Sequence, residues 1–113
     1  MNMEISELGG NNVKVTLKGR LDTPGVGRIE TGFVAALVPK GRSAIVDLSQ
    51  VDFVASLGIR MLLTTARGLG MRQARLVLFA PQEPVREVFE GVSLGDLITI
   101  VGDEPAALAA LKA

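Results

Sequence analysis

The sequence predicts an α/β fold: a mixed, mostly parallel sheet of about five strands, covered by about four helices. Short aliphatic runs, such as Ser43–Leu48 and Ala74–Ala80, are typical of buried central strands. Segments with apolar residues at helical spacing separate these runs. The expected order is β-β-α-β-α-β-α-β-α, and the 113 residues, 1–113, are expected to form a single domain.

The first two strands are expected to pair antiparallel. Met3–Leu8 alternates imperfectly between apolar and polar residues, and Gly9–Asn12 has the composition of a turn. Val13–Leu17 alternates cleanly, which predicts a half-buried strand. The chain should therefore open with a hairpin at one edge of the sheet.

The first helix is predicted to start at Thr23. Threonine is a good N-cap residue, and Pro24 suits the first helical position. The buried stripe of this helix should consist of apolar residues at helical spacing: Val26, Ile29, Phe33 and Leu37.

The second half of the chain continues the alternation of helices and strands. After Leu48 we expect a loop, Ser49–Ser56, and then a helix. A short helix is predicted at Pro84–Glu90, a last strand at Leu97–Val101, and a final helix capped by Asp103. The inner face of the second helix should consist of Ile59, Leu62, Leu63, Ala66 and Leu69.

The composition argues against several classes of function. Twelve basic and twelve acidic residues cancel, whereas a protein that binds nucleic acid normally carries a basic surplus. Cysteine and histidine are absent, which excludes disulfides, thiol nucleophiles, the usual zinc sites and histidine acid–base catalysis. We therefore expect no enzyme activity, no cofactor, no metal and no nucleic-acid partner.

The sequence also bears on location. Met1–Ile5 has neither the basic start nor the apolar run of a signal peptide. No stretch approaches the roughly 18 uninterrupted apolar residues of a membrane-spanning helix. A cytoplasmic protein without direct membrane insertion is expected.

The segment Val46–Ile59 is the most informative for function. It leaves a predicted strand and enters a helix at Ser56, where free backbone N–H groups favour an anion. One interpretation is that Ser56 is only the N-cap of the helix. The other is that Ser56 is a regulatory serine, because a phosphate there would add a charge of about −1.5 to −2.

Three segments of the chain resemble one family. Residues 47–59 read DLSQVDFVASLGI, and Lys18–Asp22 reads KGRLD just before the first helix. Near the end, residues 91–98 read GVSLGDLI and residues 106–108 read AAL. Over nearly its whole length the chain resembles the STAS domain of bacterial anti-sigma-factor antagonists.

This resemblance implies a switch between two states. In the family, a partner that is both an anti-sigma factor and a serine kinase phosphorylates the first serine of the motif. Only the unphosphorylated antagonist binds that partner and frees the sigma factor. Carried to this chain, the phosphorylated residue is Ser56. The partner-binding residues expected around it are Asp22, Thr23, Ser56, Leu57, Gly58, Arg60 and Met61.

Two residues depart from the family motif and support a second interpretation. Ala55 stands where the motif has aspartate, and Leu57 stands at the second hydroxyl position. An unphosphorylated STAS scaffold has no use for an acceptor-serine environment. Such a scaffold would be a stressosome-like component or the small cytoplasmic subunit of a lipid-exporting ABC transporter. The sequence is also compatible with a homo-oligomer of this chain.

A third interpretation is a small-ligand binder or an enzyme that holds a nucleotide phosphate at the helix start beside Ser56. The missing histidine and cysteine count against it, and so does the absence of a Gly-x-x-x-x-Gly-Lys-Ser/Thr phosphate loop.

Overall fold

A computed structural model describes residues 1–112. The elements follow the predicted order of strands and helices, with one added 3₁₀ turn at Leu94–Asp96. The strands are β1 (Asn2–Gly9), β2 (Asn12–Leu21), β3 (Ala44–Val54), β4 (Leu76–Phe79) and β5 (Thr99–Val101). The helices are α1 (Thr23–Leu37), α2 (Ser56–Gly70), α3 (Glu83–Gly91) and α4 (Glu104–Lys112).

The five strands form one sheet in the order β1-β2-β3-β4-β5. β1 pairs antiparallel with β2, and each of the other neighbouring pairs is parallel. The predicted α/β fold with a mixed, mostly parallel sheet is therefore confirmed. Each parallel pair is connected through a helix, as parallel crossovers require.

The larger core lies between the sheet and helices α1, α2 and α3. Alternate residues of β2 and β3 point into it because successive side chains of a strand face opposite sides of the sheet. All four residues predicted for the stripe of α1 are buried. The main members of the core are Val13, Val15, Leu17, Ala44, Val46, Leu48, Phe33, Leu37, Met61, Leu62, Leu69, Val85 and Phe89.

A smaller core lies on the opposite face of the sheet, under α4. Ile45, Val77 and Phe79 project from the strands and pack with Ala107. Asp103 begins α4 as predicted, because its Oδ1 accepts a hydrogen bond of 2.9 Å from the Ala106 N–H. This helix covers only part of the face, so β1 and most of the outer side of β2 remain accessible to solvent.

The predicted loop Ser49–Ser56 is wrong, because β3 continues to Val54. Residues 50–54 keep pairing with residues 18–21 of β2. The register of this pairing shifts twice, which leaves the buried Val51 and Val54 three positions apart. A strand with such shifts loses the period-two pattern by which sequence analysis recognises it.

The last strand is also shorter than predicted. β5 begins at Thr99, whereas Leu97 and Ile98 close the 3₁₀ turn through their N–H groups, which both donate to the Leu94 carbonyl at 2.9 Å. Leu97 is 64 % exposed and takes no part in the sheet. Within residues 1–112, no helix is long and apolar enough to cross a membrane.

Candidate functional site

Two strands end side by side at the candidate site. In the β2–β3 pairing, Arg20 lies opposite Phe53 and Leu21 opposite Val54. The Ala55 N–H then donates to the Leu21 carbonyl at 2.9 Å. Because both strands run the same way and each leads into a helix, the first turns of α1 and α2 meet at this edge of the sheet.

Asp22 caps the start of α1. Its Oδ1 accepts a hydrogen bond of 2.9 Å from the Gly25 N–H, and Arg20 Nε donates to its Oδ2 at 3.3 Å. The Gly25 N–H and, after it, the Arg20 guanidinium lower the pKa of the Asp22 carboxyl, because both stabilise its charged form. The prediction of Thr23 as the cap is therefore wrong: Thr23 is the first helical residue, and its side chain is exposed.

The capped turn leaves no room for a side chain at Gly25. A Cβ atom there would lie 2.1 Å from the backbone oxygen of Arg20, far inside van der Waals contact. A glycine is required here because the end of β2 passes directly against the first turn of α1.

The start of α2 lacks a side-chain cap. The N-cap position is Ala55, in extended conformation with φ −104° and ψ 172°, and its methyl group accepts no hydrogen bond. Ser56 is the first residue of the helix, and its side chain is exposed. The interpretation of Ser56 as the N-cap is therefore wrong, because the helix begins one residue earlier than a serine cap requires.

Gly58 lies beneath the surface of this site. A Cβ atom there would be 3.0 Å from three atoms, which are Cβ and the carbonyl oxygen of Leu21 and Cγ2 of Val54. The first turn of α2 thus rests directly on the ends of β2 and β3. This close approach places the first turn of α2 against Leu21, the last residue of β2 before α1.

An arginine and a phenylalanine cover the same edge, and the sequence analysis missed them. The guanidinium carbon of Arg20 lies 4.2 Å from the centre of the Phe53 ring, in cation–π geometry. Phe53 is 39 % exposed and Leu57 is 37 % exposed. The two members of the pair are 33 positions apart, and they meet only because β3 extends far enough to bring Phe53 opposite Arg20.

Of the residues predicted to bind a partner, most lie on the surface. Thr23, Ser56, Leu57 and Arg60 are exposed, and Asp22 is partly exposed. Met61 is fully buried in the larger core, and Gly58 is buried beneath the first turn of α2, so the predicted place of these two residues in a partner-binding surface is wrong. Met61 points inward because α2 packs against both the sheet and α1, which buries a broad arc of the helix.

Among the described residues, neither a metal-binding group nor one of the cavities found lies at this edge. Within residues 1–112, no group of three or more acidic residues is arranged to hold a metal ion. Three surface cavities of about 240 to 300 Å³ lie elsewhere, beside α3, α4 and β5. The site offers an exposed hydroxyl, a carboxylate that caps a helix and a guanidinium stacked on a phenylalanine ring.

Comparison with known proteins identifies the family. The model of the family described as "Mlab, STAS domain" matches residues 6–101. The chain belongs to the STAS domain family.

Two relatives of this STAS domain are named as anti-sigma factor antagonists. BtrV of Bordetella bronchiseptica, whose name includes the words anti-sigma factor antagonist, is 38 % identical over 80 residues. That match covers 70 % of this chain and 69 % of BtrV. The anti-sigma-B factor antagonist of Listeria monocytogenes is 25 % identical over 100 residues, which cover 88 % of each chain.

Solved structures share the fold. The crystal structure of an anti-sigma factor antagonist from Mycobacterium paratuberculosis superposes with a TM-score of 0.87 at 21 % identity, covering 99 % of this chain and 94 % of that one. The antagonist SpoIIAA in its unphosphorylated form gives a TM-score of 0.79 at 22 % identity, covering 98 % and 96 %. At such identities the likeness establishes the fold of the STAS domain.

Both departures from the motif lie at the start of α2. Ala55 occupies the N-cap position, so the missing aspartate removes both a carboxylate and a helix cap. Leu57 presents an apolar side chain where the family motif has a hydroxyl. The first turn of α2 therefore carries no acidic side chain, and Ser56 is the only hydroxyl in it.

Proposed function

We propose that this STAS domain is an anti-sigma-factor antagonist, a cytoplasmic regulator of transcription that is switched by phosphorylation of Ser56. Its partner is an anti-sigma factor that is also a serine kinase, and the binding surface is the edge formed by Asp22, Thr23, Ser56, Leu57 and Arg60. The observation that carries the proposal is the Ser56 side chain, which is exposed at a helix start and is not used as a cap. The names of the relatives point the same way.

The charge balance of this edge supports a switch at Ser56. Arg20 already neutralises Asp22, so a surface formed by Asp22 and Ser56 is close to neutral before modification. A phosphate on Ser56 adds a charge of about −1.5 to −2, which the free N–H groups at the start of α2 stabilise. The charge of this phosphate exceeds the single positive charge of Arg60 at the edge, so a partner that fits the unmodified edge no longer binds.

The missing motif aspartate is compatible with this switch. An aspartate at position 55 would compete with a phosphate for the same N–H groups and would repel it. With Ala55 at that position, the helix start is open to the phosphate. In this chain the phosphorylated state therefore relies on the helix start itself and needs no neighbouring carboxylate.

The experiment is affinity capture of tagged variants from extracts of the native cell, with mass spectrometry of bait and captured proteins. Ser56→Ala should retain an ATP-binding kinase of the anti-sigma type, whereas Ser56→Asp should lose it. The wild-type protein should carry phosphate on Ser56. Thr31→Asp adds the same charge at an exposed position of α1 and should bind like the wild type.

A second candidate function is a STAS scaffold that is never phosphorylated, favoured by Ala55 and Leu57. In that case Ser56→Ala and Ser56→Asp capture the same proteins in the same amounts. Those proteins would be other STAS proteins, as in a stressosome-like assembly, or subunits of a lipid-exporting transporter. Equal capture together with an unmodified Ser56 would overturn the phosphorylation switch.

A further inference from the structure

One exposed face of α2 runs the whole length of the helix. Its residues are four, four, three and four positions apart, which places them on a single stripe. We define the α2 stripe as Ser56, Arg60, Thr64, Arg67 and Met71, all of them exposed. The fifteen steps from Ser56 to Met71 span about 22 Å. Only its first two members, Ser56 and Arg60, belong to the site described above.

The α2 stripe is positively charged. Helix α2 contains Arg60 and Arg67 but no aspartate or glutamate, and Arg72 follows just after its end. The ion pairs found between residues 1 and 112 involve none of these three arginines. Since the whole chain is neutral, the stripe is a local surplus of positive charge.

Helix α3 on the same side of the sheet shows the opposite balance. It carries Glu83, Glu87 and Glu90 against a single arginine, Arg86, which pairs with Glu90 at 3.6 Å. Helices α2 and α3 thus carry net charges of opposite sign. Arginines on a solvent-exposed face without an ion pair contribute little to folding, so those of α2 are available to a partner.

Apolar side chains extend the stripe at both ends. Leu57 is 37 % exposed beside Ser56, and Met71 is 88 % exposed at the far end. Flexible, exposed methionines are common at protein-binding surfaces, and arginine is enriched in them. A face with two arginines between apolar ends is complementary to a protein surface that presents carboxylates around apolar contacts.

We propose that the α2 stripe is a docking surface for an acidic face of the partner protein, extending from Ser56 to Met71. This inference rests on the proposed function, since it names the chemistry of the partner at the same site. It also explains the direction of the switch. A phosphate on Ser56 places negative charge at one end of the stripe, where it repels the acidic partner.

A nucleic-acid backbone is another polyanion, but the observations favour a protein. The chain has no net basic surplus and contains neither tyrosine nor tryptophan. The four phenylalanines supply one half-exposed ring, Phe53, and its face is already covered by Arg20. Proteins that bind single strands combine a basic groove with several stacking rings.

The experiment measures the affinity of the purified protein that co-purifies with the Ser56→Ala variant. That protein is titrated with the wild-type chain, with Arg60→Ala/Arg67→Ala and with Met71→Ser, at low and at high salt. The matched control is Lys40→Ala/Arg86→Ala, which removes two positive charges outside α2. All of these residues are exposed, and thermal unfolding of each variant confirms that it folds.

The double variant Arg60→Ala/Arg67→Ala, here called the stripe variant, should bind the partner at least about tenfold more weakly than the wild type. The control Lys40→Ala/Arg86→Ala should stay within about twofold of the wild type. The loss of affinity on adding salt should be steeper for the wild type than for the stripe variant, because screening acts on the removed charges. Met71→Ser should weaken binding at both salt concentrations alike.

Equal affinities for the stripe variant and the control would overturn the docking surface, while a difference between Ser56→Ala and Ser56→Asp would still support the proposed function. The converse result is a partner that loses affinity for the stripe variant but binds Ser56→Asp as tightly as the wild type. That result would support the docking surface and overturn the phosphorylation switch. If no variant captures a protein, both fail. A labelled single-stranded oligonucleotide that binds the wild type but not the stripe variant would assign the stripe to nucleic acid instead.

Discussion

Helices α1 and α2 begin at the same edge of the sheet but in different ways. α1 begins with Asp22, whose carboxylate accepts from the Gly25 N–H and is held by Arg20. α2 begins with Ala55, whose side chain offers no acceptor, although its backbone carbonyl accepts from the Gly58 N–H at 2.9 Å and from the Ile59 N–H at 3.2 Å. Both strands before them are parallel neighbours, so the two starts share almost the same surroundings.

The two helix starts differ in whether a side chain of the protein caps them. At α1 the orphan N–H groups are partly satisfied within the chain, and the carboxylate has its charge balanced. At α2 no side chain caps them, and the neighbouring Ser56 is exposed. The start of α1 is therefore capped by a side chain of the protein itself, while the start of α2 has no side-chain cap.

The largest expected effect tests the close contact between Gly25 in the first turn of α1 and the end of β2. Gly25→Ala should destabilise the protein by about 3 kcal/mol or more, because its Cβ meets the Arg20 backbone oxygen and neither can move without disturbing β2. Gly27→Ala, with nothing within 4 Å of its Cβ, should instead stabilise α1 by up to about 1 kcal/mol. Urea unfolding of both variants measures the contrast, and equal stabilities would contradict the steric account.

The second effect tests the corresponding contact at α2. Gly58→Ala should cost about 1 to 3 kcal/mol, since its Cβ meets Leu21 and Val54 at 3.0 Å and those neighbours can yield slightly. Gly70→Ala, with open space around its Cβ, is the matched control in the same helix. A Gly58→Ala variant as stable as the control would mean that the start of α2 is looser than the structure shows.

The third effect tests the charge on the α1 cap. Asp22→Ala should lower the free energy of unfolding at neutral pH, because the Gly25 N–H loses its acceptor. The folded pKa of Asp22 is lower than its ordinary value of 3.8, so the contribution of the carboxylate is complete above that value. It is lost as the pH falls through the lower, folded pKa. Unfolding curves between neutral and strongly acidic pH should therefore show the gap between wild type and variant closing only in acid.

The smallest effect removes the difference between the two helix starts. Ala55→Asp places an acceptor at the N-cap of α2 and should stabilise the protein by about 0.5 to 1 kcal/mol. The extended conformation of Ala55 already suits a capping residue. Ala55→Asn supplies the hydrogen bond without the charge and separates the two contributions. If neither variant gains stability in urea unfolding, the N–H groups of α2 do not lack a cap.

Much of the fold could be predicted from residue patterns. The alternation in β2 and the apolar stripe of α1 are local periodicities, and the structure confirms both. The Asp103 cap of α4 is a local hydrogen bond and is confirmed too. These features depend on residues close together in the chain, whose propensities act before any tertiary contact forms.

The candidate site was predicted only in part. Ser56 lies at the start of α2 as the motif indicated, but the cap is one residue earlier. Met61 fell among the predicted surface residues because helical spacing alone does not reveal how wide an arc is buried. The contact between Arg20 and Phe53 could not be predicted from the sequence, because it depends on which residues of β2 and β3 lie opposite each other.

The sequence by itself determined the element order, the family resemblance and the position of an unusual serine at a helix start. Each of those features depends on residues within a short segment of the chain. Tertiary structure decided how far β3 extends, which residue caps each helix and which side chains share the edge around Ser56. The reason is physical: the pairing of β2 with β3 shifts its register twice, and such shifts are settled by packing between distant residues.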